Sequence, residues 1–193
     1  MPSAGTWQRY ASCEDGLRQG LLPMLRTWRD MGTQPYAVVL DMDDTVVRTN
    51  EETEREEPVP WLDALLDALN HDGRDENMSV VIVTARPLGQ EQDTIEQFRA
   101  VTGWDIPIAQ VLCREEGARD ADELKDAAQF KYDGRCWADK VHAPVAATVG
   151  DQWWDVCCPT EEAENADSDL FDDDHTYVRT DRNLCTCVKL GTC

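Results

Sequence analysis

At 193 residues with 41% hydrophobic content, the chain is long enough to bury one full core and too apolar for wholesale disorder. Its 39 acidic against 18 basic residues give a formal net charge of −21. That balance argues against binding nucleic acid or anionic membranes, because neutralising phosphate requires clustered Lys and Arg.

No apolar run approaches the ~20 residues of a membrane span. The opening Met1-Pro2-Ser3-Ala4-Gly5-Thr6-Trp7 lacks the charged and apolar regions of a secretory signal, so a cytoplasmic location is the expectation.

Residues 13 to 31 read as an amphipathic helix, with Leu17, Leu21, Leu25 and Trp28 at helical spacing, a kink at Pro23 and a stop at Gly32. Residues 1–33 form an N-terminal helical extension, and 34–193 form the main domain. The first strand spans 36 to 41 and is followed by a charge-dense loop over 51 to 57. A helix starts near Pro60, packs through Trp61, Leu62, Leu65, Leu66 and Leu69, and ends at Gly73. Val80 to Val83 form a short apolar strand finishing at Thr84-Ala85-Arg86-Pro87. A helix over 90 to 102, a strand over 108 to 113 and a helical region over 122 to 142, weakened by Gly134, come next. Strands at 145 to 149 and 176 to 179 complete the pattern. Strands of continuous apolarity alternating with helices predict an α/β fold, with a central parallel sheet covered on both faces.

Between the last two strands, Glu161 to Asp174 carries eight acidic residues and no basic one. It reads as a solvated loop; the Gly of a calcium-loop pattern is missing. The eight cysteines do not follow common zinc spacings. Free thiols are the leading expectation, with disulfides or a metal site as alternatives.

Two segments carry the chemistry. Val38-Val39-Leu40 leads into Asp41-Met42-Asp43-Asp44-Thr45, and Ala147-Thr148-Val149 leads into Gly150-Asp151-Gln152-Trp153-Trp154-Asp155. Each places carboxylates just past a buried strand, where open parallel sheets put ligand sites. Converging carboxylates repel one another unless a cation holds them, and oxygen-only ligands favour Mg²⁺.

The first segment resembles the opening motif of the haloacid dehalogenase superfamily of phosphohydrolases. Val80-Val81-Ile82-Val83-Thr84 resembles the second motif, Lys131 the third, and Gly150 to Asp155 the fourth. Thr84-Ala85-Arg86, Lys131 with Arg135, Gly150-Asp151-Gln152-Trp153 and Val111-Leu112-Cys113-Arg114 are similar to one branch in particular. It holds plant and bacterial acid phosphatases and vegetative storage proteins. The similarity spans about residues 35 to 156. Ala85 replaces the Gly often found after Thr in that branch.

The resemblance implies a Rossmann-like fold and Mg²⁺-dependent hydrolysis of a small phosphorylated substrate. Asp41 would be the nucleophile and Asp43 the acid/base. The metal would be held by Asp41, the backbone carbonyl of Asp43, and Asp151, with Asp155 near or alternating as a ligand. Thr84 and Lys131 would bind the phosphoryl group, Lys125 and Lys140 competing for the latter place. Arg86, beside Ala85, would contact the rest of the substrate, and Arg135 would help position the site. The segment from Thr45 to Pro60 is too short for a large cap domain. Two other readings stand beside this one: a storage or interaction protein that keeps the fold with little activity, and a polynucleotide-end phosphatase.

Overall fold

A computed structural model of the chain describes residues 6–32, 34–70, 76–104, 107–114, 123–156, 174–180 and 185–191. Gly73, His71, Cys157, Cys158, Cys193 and the acidic stretch 161–173 lie outside the described residues.

The chain begins with a short strand, β1 (Gln8–Tyr10), followed by α1 (Cys13–Asp15), a π-helical segment (Gly16–Leu21) and α2 (Leu22–Met31). The Ser12 hydroxyl caps α1 by accepting from the Asp15 amide at 3.1 Å. Leu17, Leu21 and Leu25 are buried in the main core, as their spacing predicts. The departure from α geometry falls on Gly16–Leu21, ahead of Pro23, which sits in the first turn of α2 where its missing N–H costs nothing. Gly32 ends the helix in the left-handed region at φ 72°.

β2 (Tyr36–Leu40) follows, then β3 (Val47–Asn50), β4 (Arg55–Pro58) and α3 (Leu62–Leu69). β3 and β4 pair as an antiparallel hairpin, Val47 opposite Pro58 and Asn50 opposite Arg55. Residues 55 to 57 of the expected loop are therefore strand, and 51 to 54 form the turn. Glu57 is compensated across the hairpin by Arg48, 2.7 Å away. The chain continues through β5 (Met78–Pro87), α4 (Glu91–Thr102), β6 (Ile108–Arg114), α5 (Glu123–Trp137) and a second π-helical segment (Ala138–His142). β7 (Val145–Gly150), α6 (Trp153–Val156), β8 (Thr176–Thr180) and β9 (Thr186–Lys189) complete the described chain.

The seven-stranded sheet runs β1-β8-β9-β7-β2-β5-β6. The five strands from β9 to β6 are parallel, while β8 and β1 add an antiparallel edge. β2 and β7 are buried along their whole length. One face packs Val38, Leu40, Val80 and Ile82 against the N-terminal helices, α3 and Phe98 of α4. The other packs Val39, Val81 and Val83 against Ala138, with Phe130 and Trp137 around it. This mixed α/β architecture, a largely parallel sheet flanked by helices, is compatible with a Rossmann-like fold.

From β2 the chain moves to β5 and β6 on one side, then returns to β7 on the other side of β2. Strand order therefore reverses between β2 and β7. Helices leave in opposite directions there, opening a crevice at the carboxyl ends of these two strands.

Candidate functional site

Asp41 is the first residue past β2, and its amide still donates to the Val149 carbonyl at 3.0 Å, which ties it to β7. A tight turn follows: the Val46 and Val47 amides both donate to the Met42 carbonyl, and Asp44 takes a left-handed φ of 56°. The turn buries Met42 and Thr45 while leaving Asp43 and Asp44 at the surface.

β7 ends at Gly150. A Cβ built there would lie 2.2 Å from Asp155 Cβ, so only glycine lets Asp155 fold back over the strand end. Asp155 is held from two sides, its Oδ2 accepting from the Gln152 amide at 3.0 Å and its carbonyl accepting from Thr148 Oγ1 at 2.9 Å. Asp151 Oδ2 accepts from Gln152 Nε2 at 2.5 Å.

Lys131 arrives from α5. That helix lies close on the sheet because Gly134 faces Val83, where a Cβ would meet Cγ1 at 2.7 Å. The glycine that weakens α5 as a helix is what lets it approach. Lys131 is 2% exposed, and its Nζ lies 2.5 Å from Asp41 Oδ1 and 2.7 Å from Asp155 Oδ1. The second contact is an ion pair without hydrogen-bond alignment, so Asp155 Oδ1 is buried with lone-pair capacity unused.

One ligand atom each from Asp41, Asp151 and Asp155 falls within 4.8 Å of the others. Asp41 and Asp155 are buried and Asp151 is half-buried. The triad can hold a metal ion: its donors are all carboxylate oxygens, and Asp155 Oδ1, paired with the Lys131 ammonium, accepts no aligned hydrogen bond.

The electrostatics follow from this crowding. Burial raises Asp41 well above the ordinary carboxylate value, Lys131 opposes the rise, and Asp155 and Asp151 add to it. Burial likewise lifts Asp151 to about 6, with Asp155 contributing. Burial would lower Lys131, but the Asp155 and Asp41 charges outweigh it, and the ammonium is held as a cation above its ordinary value.

A second cluster gathers around Asp43. Thr84, fully buried at the end of the regular β5 ladder, points Oγ1 at Asp43 Oδ2 from 3.4 Å. Arg86 grips the same carboxylate, Nη2 donating to Oδ1 at 2.6 Å and Nε to Oδ2 at 3.0 Å. Its Nη1 donates to Gln97 Oε1 of α4 at 2.5 Å, and Nη2 lies 3.8 Å from Glu56 of the hairpin. Gln97 Nε2 also donates to Glu56. Burial would lower Arg86, and its hydrogen bond and proximity to Asp43 reverse the shift.

The structure therefore brings together Asp41, Asp151, Asp155 and Lys131, and separately Asp43, Thr84 and Arg86. The Asp43 side chain is not part of the acidic triad; the expected metal contact was through its carbonyl. Asp155 sits in the triad itself, while Lys140 is exposed. Ala85 is exposed beside Arg86. Arg135 donates to the Trp154 carbonyl at 2.7 Å, which anchors α6 to α5. Trp153 is a packing residue, edge-on to Trp7 at 5.3 Å and tilted against Tyr177. Gln97 escaped the sequence reading, because it occupies a helix face with no motif around it. Glu56 belongs to the acidic run 51 to 57, which the sequence places near the mouth of the site, but its contact with Arg86 has no local signal.

The chain matches no family model, and no curated protein matches it.

Proposed function

We propose that the chain is a Mg²⁺-dependent phosphomonoester hydrolase of the haloacid dehalogenase type, acting on small phosphorylated substrates. One observation carries this reading. A carboxylate past β2 and two past β7 come within 4.8 Å of one another, with a buried ammonium against two of them. A cation and a lysine on one side of a nucleophilic carboxylate suit the handling of a dianionic phosphoryl group, whose transfer depends on charge stabilisation and alignment.

Asp41, Asp151 and Asp155 would hold Mg²⁺. When bound, it supplies neutralisation of the charge that develops on the phosphoryl oxygens. Asp41 attacks phosphorus and forms an aspartyl-phosphate, dividing the reaction into two easier displacements. Asp43 donates a proton to the leaving oxygen, then takes one from the water that cleaves the intermediate. Lys131 compensates phosphoryl charge from within the core. Thr84 offers its hydroxyl to a phosphoryl oxygen, and Arg86 orients Asp43.

The test is phosphate release from a panel of small phosphomonoesters, with and without Mg²⁺, in the native chain and in Asp41→Asn. The expected result is Mg²⁺-dependent turnover that Asp41→Asn abolishes. Turnover that survives this substitution overturns the assignment. Release from nucleic-acid ends but from no small phosphate would move the reading to a polynucleotide-end phosphatase.

A further inference from the structure

A cleft of about 710 Å³ opens beside the acidic triad, lined by the β3–β4 hairpin and the turn after β7. Its size is that of a small-molecule site, roughly 300–1,000 Å³. Asp151 belongs both to the triad and to the cleft wall, and Asp44, the residue after Asp43, stands in the same wall. An ester whose phosphoryl group sits against the triad therefore extends its leaving group into this space.

The lining is strongly anionic. Asp44, Glu51, Glu52, Glu57 and Asp151 share it with one cation, Arg48. Arg48 is already committed, its Nη2 and Nε donating to Glu57 Oε1 at 2.7 and 3.0 Å. Asn50 Nδ2 donates to the other Glu57 oxygen at 3.1 Å. Asp44, Glu51 and Glu52 have no salt-bridge partner among the described residues. Asn50 also fixes the turn that carries the two glutamates, its Oδ1 accepting from the Glu52 and Thr53 amides at 3.0 and 3.1 Å. These carboxylates do not make a second metal centre. Among the described residues, only the triad brings three acidic groups close enough to share one ion. Spread along a cleft wall, they attract an organic cation instead, and walls of one sign concentrate such a ligand.

A second observation points to the occupant. Trp61 lines the same cleft at 6% exposure, and its indole N–H is buried with no acceptor among the described residues. An indole nitrogen only donates, and a buried donor left unmatched costs free energy. A hydroxyl or ether oxygen on the bound group would supply the missing acceptor.

We propose that this cleft binds a protonated amine on a hydroxylated leaving group, so that the preferred substrates are phosphomonoesters of amino sugars. Asp44, Glu51 and Glu52 hold the ammonium, and the Trp61 indole donates to an oxygen of the same group. The substrate class rests on the phosphatase reading, whereas the amine site stands without it.

The experiment first leaves phosphate out. Indole N–H signals of the isotope-labelled native chain are followed by NMR during titration with glucosamine, N-acetylglucosamine and glucose, with Trp61→Phe assigning the Trp61 signal. Glucosamine is expected to shift that signal saturably, and the two uncharged sugars far less. Glu51→Gln combined with Glu52→Gln, both exposed in the turn, is expected to weaken the response to glucosamine. Asp30→Asn combined with Glu76→Gln removes the same charge from exposed positions at the opposite end of the sheet and is expected to keep it. Phosphate release with Mg²⁺ is then compared for the 6-phosphates of the three sugars. kcat/KM is expected to favour glucosamine 6-phosphate by about tenfold, the scale of one charge-assisted contact. A Trp61 signal that glucosamine does not shift selectively, or a response lost equally in both double variants, overturns the proposal. Equal turnover of the three esters overturns it too and leaves the phosphatase reading standing. A selective shift with no turnover of any ester keeps the amine site and overturns the phosphatase reading.

Discussion

Lys131 Nζ lies 2.5 Å from Asp41 Oδ1, although 90 residues separate them in the chain. The ammonium is nearly sealed from water and also pairs with Asp155. Removing one member of a buried ion cluster leaves the others uncompensated, which typically costs about 3–5 kcal/mol. Lys131→Met is therefore expected to lower the stability of the metal-free protein by that order, read from urea unfolding at pH 7. Adding Mg²⁺ should restore part of the stability, because the carboxylates regain a cation, but should restore no turnover. A variant as stable as the native chain without divalent ions would contradict this account of the cluster.

The pH dependence runs opposite to that of an ordinary surface carboxylate. Folded Asp151 keeps its proton up to about pH 6, whereas the unfolded chain releases it near 3.8. Between those values the folded state binds more protons, so stability falls as pH rises, by roughly 3 kcal/mol at most, and levels off above pH 6. Burial raises Asp41 too and works in the same direction. Thermal melts of the metal-free chain should show the midpoint falling between pH 4 and 6. Asp151→Asn should flatten that slope and melt higher at pH 7. Equal slopes in the two proteins would show that Asp151 is not the titrating group.

What the sequence revealed depended on how strongly each element is buried. β2, β5 and β7 are apolar on both faces, so their runs of Val, Ala and Ile stand out against charged surroundings. The carboxylates at their ends inherit that clarity, and the spacing that favoured Lys131 over Lys140 matched the residue that reaches the triad. The hairpin was hidden because Arg55-Glu56-Glu57-Pro58 is largely solvated and carries no apolar alternation. β9 was hidden because Thr186-Cys187-Val188-Lys189 reads as polar, yet all four residues are buried between β7 and β8. Lys189 lies there beside an aromatic ring, a tertiary circumstance that no local pattern reports. The contact between Asp43 and Arg86 was invisible for the same reason.

Gly150→Ala tests the close approach that assembles the triad. The added methyl would stand 2.2 Å from Asp155 Cβ and 2.5 Å from its Oδ2, distances that force the α6 turn outward. Overpacking of this kind costs about 1–3 kcal/mol. Displacing Asp155 also removes one of the three carboxylates from its position. Divalent-cation affinity, measured by calorimetry, is expected to fall at least about tenfold, equivalent to ~1.4 kcal/mol. Unchanged affinity would mean that Asp155 does not serve as a ligand.

Arg86 joins three elements: its guanidinium meets Asp43 from the β2 turn, Gln97 from α4 and Glu56 from the hairpin. Asp43 is half exposed, so the pair contributes at most about 1 kcal/mol to stability, and Arg86→Ala should unfold close to the native midpoint. Its effect belongs in the reaction. With Oδ1 released and Oδ2 left to the Thr84 hydroxyl alone, Asp43 samples orientations that do not face the leaving oxygen. The expected outcome is a kcat lowered by about 10–100-fold, the span of a misplaced acid/base group, with KM changed far less. Gln97→Ala should produce a weaker copy of this effect, since it removes the brace on Nη1 and leaves the contact with Asp43 in place. A rise in KM at constant kcat would instead show that Arg86 binds substrate and leaves Asp43 to orient itself.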